Sequence, residues 1–240
     1  MSSASPTDHR PRVAAERRDR MRKRLLESAM VVFAKKGFTS SVIQDVVAAA
    51  EVSQGSFYNY FRTGEDLFHA LAEDLSNEIM RMIESVIGDV EDPALRVATA
   101  IRSYLHLMRS YPVAAQFVAS AGLKLVNKDS VAYIFLPRDL KAAQRQGRLD
   151  VADIDSTIDL IAGTGLMAIA RMASGRTRKD YPERVTVLIL RALGVTAANA
   201  TKLTALALPK FSAPAESLFA RAQARVVLAA VPKRSPRTAA

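Results

Sequence analysis

From Val13 to Lys36 apolar residues recur every three or four positions, with Leu26, Met30 and Phe33 on one face and Leu25 and Ala29 beside them. That period predicts an amphipathic helix, and Gly37 ends it as a C-terminal cap residue, with Phe38 turning back into the core. Ser41-Val42-Ile43-Gln44 has the Ser-x-x-Gln form of a capping box, so it opens a second helix whose buried stripe is Ile43, Val46, Val47 and Ala50. Glu51-Val52 makes a turn, and Ser53 is placed to cap a third helix in which Phe57 and Phe61, four apart, form the buried side. Three short helices at this spacing make a minimal helix-turn-helix unit.

The same period continues downstream. Leu67, Leu71, Leu75, Ile79, Met82, Ile83 and Val86 define a long amphipathic helix from Glu65 to about Val86. Asp92-Pro93 is an N-cap followed by proline at the first helical position, opening a helix to about Ser110, and Pro112 starts another that ends near Gly122. Residues 127–146 are expected to be helical with an interruption before Pro137. Two later stretches, roughly 154–173 and 182–194, are apolar on more than one side and so need covering on more than one side. A buried core pair in a monomer and a four-helix interface with a second copy both satisfy that need. Beyond residue 197, TKLTALAL either extends the last helix or begins another, Pro209 and Pro214 break the chain, and 215–230 can form one more helix.

The expected fold class is therefore all-α: an N-terminal three-helix helix-turn-helix domain plus a larger C-terminal helical domain. The expected division is a disordered arm at 1–12, the helix-turn-helix at 13–64, the larger helical domain at 65–196, and a C-terminal extension at 197–240, partly helical with a disordered basic tail.

Charge sharpens this picture through its placement. The 240 residues carry a formal charge of +10, of which residues 9–24 hold +6 and residues 209–240 hold +5, leaving the remainder at −1. Excess confined to the ends fits arms that meet a polyanion. The chain has no cysteine, which excludes a disulfide framework, a thiolate metal site and a cysteine nucleophile. No apolar run approaches membrane-spanning length and the N-terminus lacks a signal-peptide core, so a cytoplasmic protein without membrane association is expected. The three histidines, His9, His69 and His106, show neither metal-ligand spacing nor a nucleophile partner. Gly163-Thr164-Gly165 lacks the strand and later glycine of a phosphate loop and suits close helix approach instead. No catalytic constellation, metal or cofactor is expected.

The third helix does carry assignable chemistry. Around its buried stripe the positions Gln54, Gly55, Ser56, Tyr58, Asn59 and Tyr60 are small or hydrogen-bonding and include no carboxylate, a surface suited to acceptor-rich, negatively charged DNA. Gln54 can bond bidentately to an adenine edge, and Asn59 can do so if it faces the groove. Gly55 permits close backbone approach, while Ser41, Ser53, Ser56, Tyr58, Tyr60 and Arg62 suit phosphates, which set register without reading sequence.

Residues 37–67 resemble the N-terminal domain of the TetR family of transcriptional repressors: Gly37-Phe38, Ser41, Asp45-Val46, Ala49-Ala50, Val52-Ser53, Gly55, the block Phe57-Tyr58-Asn59-Tyr60-Phe61, and Glu65-Asp66-Leu67. A weaker echo lies in Ala143-Gln144-Arg145-Gln146-Gly147-Arg148-Leu149-Asp150, similar to the family's turn into its eighth helix. Two positions depart from the pattern, Glu51 where glycine is usual and Gly64 where lysine is common. The resemblance implies a homodimer through the helices near 154–173 and 182–194, a palindromic double-stranded operator, and release by a small-molecule effector, here an apolar one. Tyr104, Met108, Phe117, Tyr133, Phe135 and Met167 are the candidate effector liners, with plain core as their alternative role. Two further function classes stay open at this point: an effector-independent DNA-binding structural or cell-cycle factor on the same fold, and a helical enzyme or interaction module with incidental basic ends.

Overall fold

The computed structural model describes residues 9–38, 42–125, 132–175, 177–210 and 212–230, the side chains of residues 9, 10, 132 and 133 excepted. Among them every regular element is helical. The order is α1 (His9–Lys36), α2 (Val42–Ala50), α3 (Gln54–Tyr58), α4 (Gly64–Ile87), α5 (Pro93–Ser110), α6 (Pro112–Ala121), a short 3₁₀ turn (Gly122–Leu125), α7 (Ala132–Arg145), α8 (Ile154–Ala173), α9 (Tyr181–Ala192), α10 (Ala197–Ala205) and α11 (Leu218–Ala230). None of the described helices is long and apolar enough to cross a membrane.

Local chemistry sets most boundaries. Thr63 and Asp66 form a reciprocal capping box at the start of α4, and the Asp92 carboxylate accepts from the Ala94 and Leu95 amides at the start of α5. Thr196 caps α10, so the stretch after α9 begins a new helix rather than extending the old one. Between them Gly194 takes φ +80°, and a Cβ there would lie 2.9 Å from Cβ of Asp150, so only glycine closes α9 against the loop that carries Asp150.

Two expectations are corrected. The first helix starts at His9, so residues 9–12, expected in the arm, are helical; Arg12 supports that turn by pairing with Glu16 four residues on, at 3.1 Å. The interruption before Pro137 is absent, since α7 runs through it. Proline forfeits one early hydrogen bond there, while the buried Leu140 and Ala143 and the Arg138–Asp139 contact hold the helix beyond it. The apolar sides of α8 and α9 are covered only in part: Ile158, Ile161, Ile169, Val185, Ile189 and Leu190 are buried, whereas Leu160, Met167 and Leu188 stand exposed. The Ser41 capping box and the chain beyond residue 230 lie outside the described residues.

A single apolar core runs the length of the chain, from α1–α3 through α4 to the bundle of α5–α9. At the junction Phe33 of α1, Phe38, Phe68 of α4 and Phe117 of α6 stack ring on ring, with centroids 5.4 to 6.1 Å apart. Arg96 of α5 ties α4 to α7 by pairing with Glu84 and with Asp139, which Arg138 also contacts. That network compensates the charge that burial of Asp139 would otherwise leave costly.

Candidate nucleic-acid interface

The reader is built outward from a small apolar core. Leu25, Leu26, Ala29, Met30 and Phe33 of α1 meet Val42, Val46 and Ala50 of α2, and Phe57 with Phe61 close the cluster from α3. Lys36 pairs with Asp45 at 2.7 Å, fixing the end of α1 against α2. The turn into α3 is a Schellman closure: the Val52 amide donates to the Val47 carbonyl and the Glu51 amide to the Ala48 carbonyl, both at 3.1 Å. Its left-handed residue is Glu51, at φ 51°, the position where glycine is usual. A side chain there is strained, and its carboxylate is held by Arg24 of α1 at 3.1 Å.

Ser53 caps α3 by accepting from the Ser56 amide at 3.1 Å, and its hydroxyl lies 2.9 Å from that of Ser56. Phe57 is fully buried and Phe61 nearly so, as the stripe requires. The rest of the helix faces outward. Gln54, Gly55, Tyr58, Asn59 and Arg62 are exposed, Ser56 and Tyr60 half-buried, and Tyr58 stands edge-on against Phe57 with 49% of its surface accessible. Nothing lies closer to Gly55 than the Ser53 hydroxyl at 4.0 Å, so the surface is open there. Gly64, the other departure, is the first residue of α4, and a side chain there would meet Ile43 at ordinary van der Waals distance. Ser41 lies outside the described residues.

One feature was not evident in the sequence. The basic first turns of α1 pass beside the end of α3, leaving a groove of about 920 Å³ lined by Val13, Ala14, Arg17, Arg18, Met21, Asn59 and Tyr60. The Arg18 guanidinium sits 5.9 Å above the Tyr60 ring. Four other cations of this stretch are engaged: Arg12 with Glu16, Lys23 with Asp19, Arg22 with Asp74 and Arg24 with Glu51. The repeat Val13–Arg17–Met21, spaced by four, was the available signal.

The candidate effector liners with described side chains stand in different surroundings. Phe117 is fully buried in the aromatic junction, with tilted ring contacts to Phe33 and Phe68, as its alternative role in the core has it. Met167 projects outward at 64% exposure into a groove between α8 and α9 that includes Leu188, Arg171 and Arg184. Met108 is fully buried core. Tyr104 lies within the bundle, where burial pushes its phenol up to about 12. Phe135 is half-buried with Arg138 over its ring at 5.2 Å. The side chain of Tyr133 lies outside the described set. Beside these, His106 of α5 stands between Arg109 and the Glu183 carboxylate, 2.7 Å from each. Burial alone would raise Glu183; the hydrogen bond from His106, with the charges of His106 and Arg102, outweighs it and holds the carboxyl below its ordinary 4.5.

Comparison with known proteins divides the chain in the same way, into an N-terminal regulatory domain and a C-terminal domain. Residues 25–71 match the family described as bacterial regulatory proteins, tetR family, and residues 92–205 match the Tetracyclin repressor-like C-terminal domain. The chain belongs to the TetR family. Among relatives of this TetR protein, the HTH-type transcriptional repressor DhaR of Mycobacterium sp. (strain GP1) is 36% identical over 76 residues, 32% of this chain and 38% of DhaR. The uncharacterised HTH-type transcriptional regulator YdgC of Bacillus subtilis (strain 168) is 27% identical over 149 residues, 59% of this chain and 75% of YdgC. The match to DhaR thus spans well under half of that relative's length. Among solved structures, RolR in complex with the ligand resorcinol superposes with a TM-score of 0.61 at 26% identity, covering 82% of this chain and 100% of RolR. This TetR-family chain is accordingly a transcriptional regulator of the helix-turn-helix type.

Proposed function

We propose that the protein is a dimeric repressor that binds a palindromic operator through its two α3 helices and leaves it when a small, apolar effector enters the C-terminal bundle. The observation that carries the reading is the exposed, carboxylate-free face of α3. Gln54 is assigned to a base edge, with Asn59 beside it, and Gly55 to close approach. Ser41, Ser53, Ser56, Tyr58, Tyr60 and Arg62 are assigned to phosphates. One reader of five helical residues spans about 7.5 Å, too little for a long site, so two copies related by a two-fold axis are needed.

The uncovered apolar side of α8 and α9, with Leu160, Met167 and Leu188 exposed, supports pairing there. No atom approaches a Cβ built at Gly163 or Gly165, which leaves room for a second helix at close range. An effector site between α4, α5, α7 and α8 retains Tyr104 and Phe135 as candidates, and the likeness to RolR, solved with resorcinol, favours a small aromatic compound. The boundaries proposed for the functional units remain 13–64 for the reader and 65–196 for the effector and pairing unit, now with helix α1 beginning at His9.

Selection of bound sites from random duplex DNA tests this reading. A palindromic motif is expected, and Gln54→Ala with Tyr58→Ala should abolish preference for it at fixed salt. Specific binding that survives both changes would place the reader elsewhere.

A further inference from the structure

Helix α11 lies beyond residue 205, where the family match ends, yet it packs along α1 and also touches α4 and α6. Its apolar side is anchored by Phe219 and Ala222, both fully buried, with Phe219 edge-on to Tyr111 at 4.7 Å. The polar contacts are more specific. Glu27 sits on the inner side of α1 with 3% of its side chain exposed, in a helix otherwise rich in cations. A carboxylate that buried requires countercharge, and α11 supplies it. Arg221 Nε lies 2.7 Å from Glu27 Oε1, and Arg225 Nε donates to Oε2 at 3.2 Å.

Arg225 reaches further. Its Nη1 donates to the Ser28 hydroxyl at 3.2 Å and to the Ala49 carbonyl at 3.3 Å. Ala49 is in the last turn of α2, one of the carbonyls that a helix end leaves without an internal partner, and a cation there also meets the negative end of the helix dipole. Two residues later comes the strained Glu51. The turn that aims α3 is therefore gripped twice, by Arg24 of α1 and by Arg225 of α11. At its other end α11 is fastened to the C-terminal bundle. The Leu218 amide donates to the Glu78 carboxylate of α4 at 2.9 Å, and Gln223 accepts from the Val113 amide at the start of α6 at 3.0 Å.

We propose that α11 is a brace that fixes the orientation of the DNA reader against the C-terminal bundle, with Arg225 as a positioning residue that acts through Glu27 and the α2 carboxyl end. This rests on the DNA-binding reading above. The guanidinium reaches Glu27 through Nε and Ser28 and Ala49 through Nη1, whereas the single ammonium nitrogen of lysine does not reproduce that rigid, two-sited fork.

The test uses full-length protein and a duplex recovered by selection. In Arg225→Lys, specific affinity should fall about tenfold, the size of one charge-assisted hydrogen bond, while affinity for random duplex and the salt slope stay unchanged because no phosphate contact is lost. Amide exchange in α2 and its turn should speed up, with helicity retained. Because one lysine can disturb packing, Glu27→Gln combined with Arg225→Gln removes both charges together and should show the same loss of discrimination. Specific affinity that is unchanged or higher, in either variant, overturns the brace. A salt slope lowered by about one would instead make Arg225 a phosphate ligand and equally overturn it. Wild type that binds no duplex overturns the DNA reading alone, since exchange in α2 still reports on the brace; exchange that does not change in Arg225→Lys overturns the brace.

Discussion

Glu51 shows how one residue can depart from a family pattern while the backbone does not. The Schellman closure after α2 demands a left-handed residue, and the chain places glutamate there at φ 51°. The strain of a side chain in that region, about 1–2 kcal/mol, is only partly offset by the lower backbone entropy glutamate has to lose and by the exposed pair with Arg24. Glu51→Gly should therefore gain roughly 0.5–1 kcal/mol, seen as a higher urea midpoint with an unchanged slope. A lower midpoint would mean that the Arg24 contact outweighs the backbone strain. The sequence identified this position as anomalous, but it could not show Arg24 closing over it from 27 residues away.

Among elements, α1 and the α8–α9 pair carry the clearest consequences. Four cations of residues 9–24, namely Arg12, Arg22, Lys23 and Arg24, are held in ion pairs, and Arg17 and Arg18 line the groove beside α3. Arg17→Ala with Arg18→Ala should weaken binding to all duplexes alike and lower the salt slope by about 1.8, as expected for two phosphate contacts. A loss confined to the operator would assign them to base reading instead. On α8 and α9, Met167 and Leu188 are 64% and 61% exposed in the single chain. Met167→Glu with Leu188→Glu should therefore cost the fold little, within about 0.5 kcal/mol per exposed substitution, yet yield a monomer in sedimentation. A dimer that persists would move the pairing face elsewhere. Periodicity predicted these helices almost to the residue. Which of their sides stays open depended on what α5 and α6 already cover.

At the scale of the molecule, the chain responds to pH through Glu78, the carboxyl that meets the start of α11. Burial raises this carboxyl above 4.5, the Leu218 amide opposes that shift, Asp74 and Glu216 reinforce it, and Lys23 opposes it. A raised folded-state value means the folded protein keeps a proton that the unfolded chain releases. That stabilisation is fully present below pH 4.5 and is lost as pH rises through the folded value. Glu78→Gln does not titrate and still accepts from Leu218, so it should be more stable than wild type at pH 7, with the difference shrinking towards pH 4. Equal urea midpoints at both pH values would show that Glu78 titrates normally.

The sequence by itself determined what depends on neighbours close along the chain: the helical periods, the caps at Ser53 and Asp92, and the acid-free surface of α3. It was also enough to tie residues 37–67 to their family, because spacing and identity there agree together. Tertiary structure decided whatever depends on residues far apart in sequence. It placed Phe117 in an aromatic junction with Phe33 and Phe68, turned Met167 outward, and brought Arg225 to Glu27 across almost the whole chain. A helical repeat specifies that a face is apolar, but only the packed neighbours determine what that face meets.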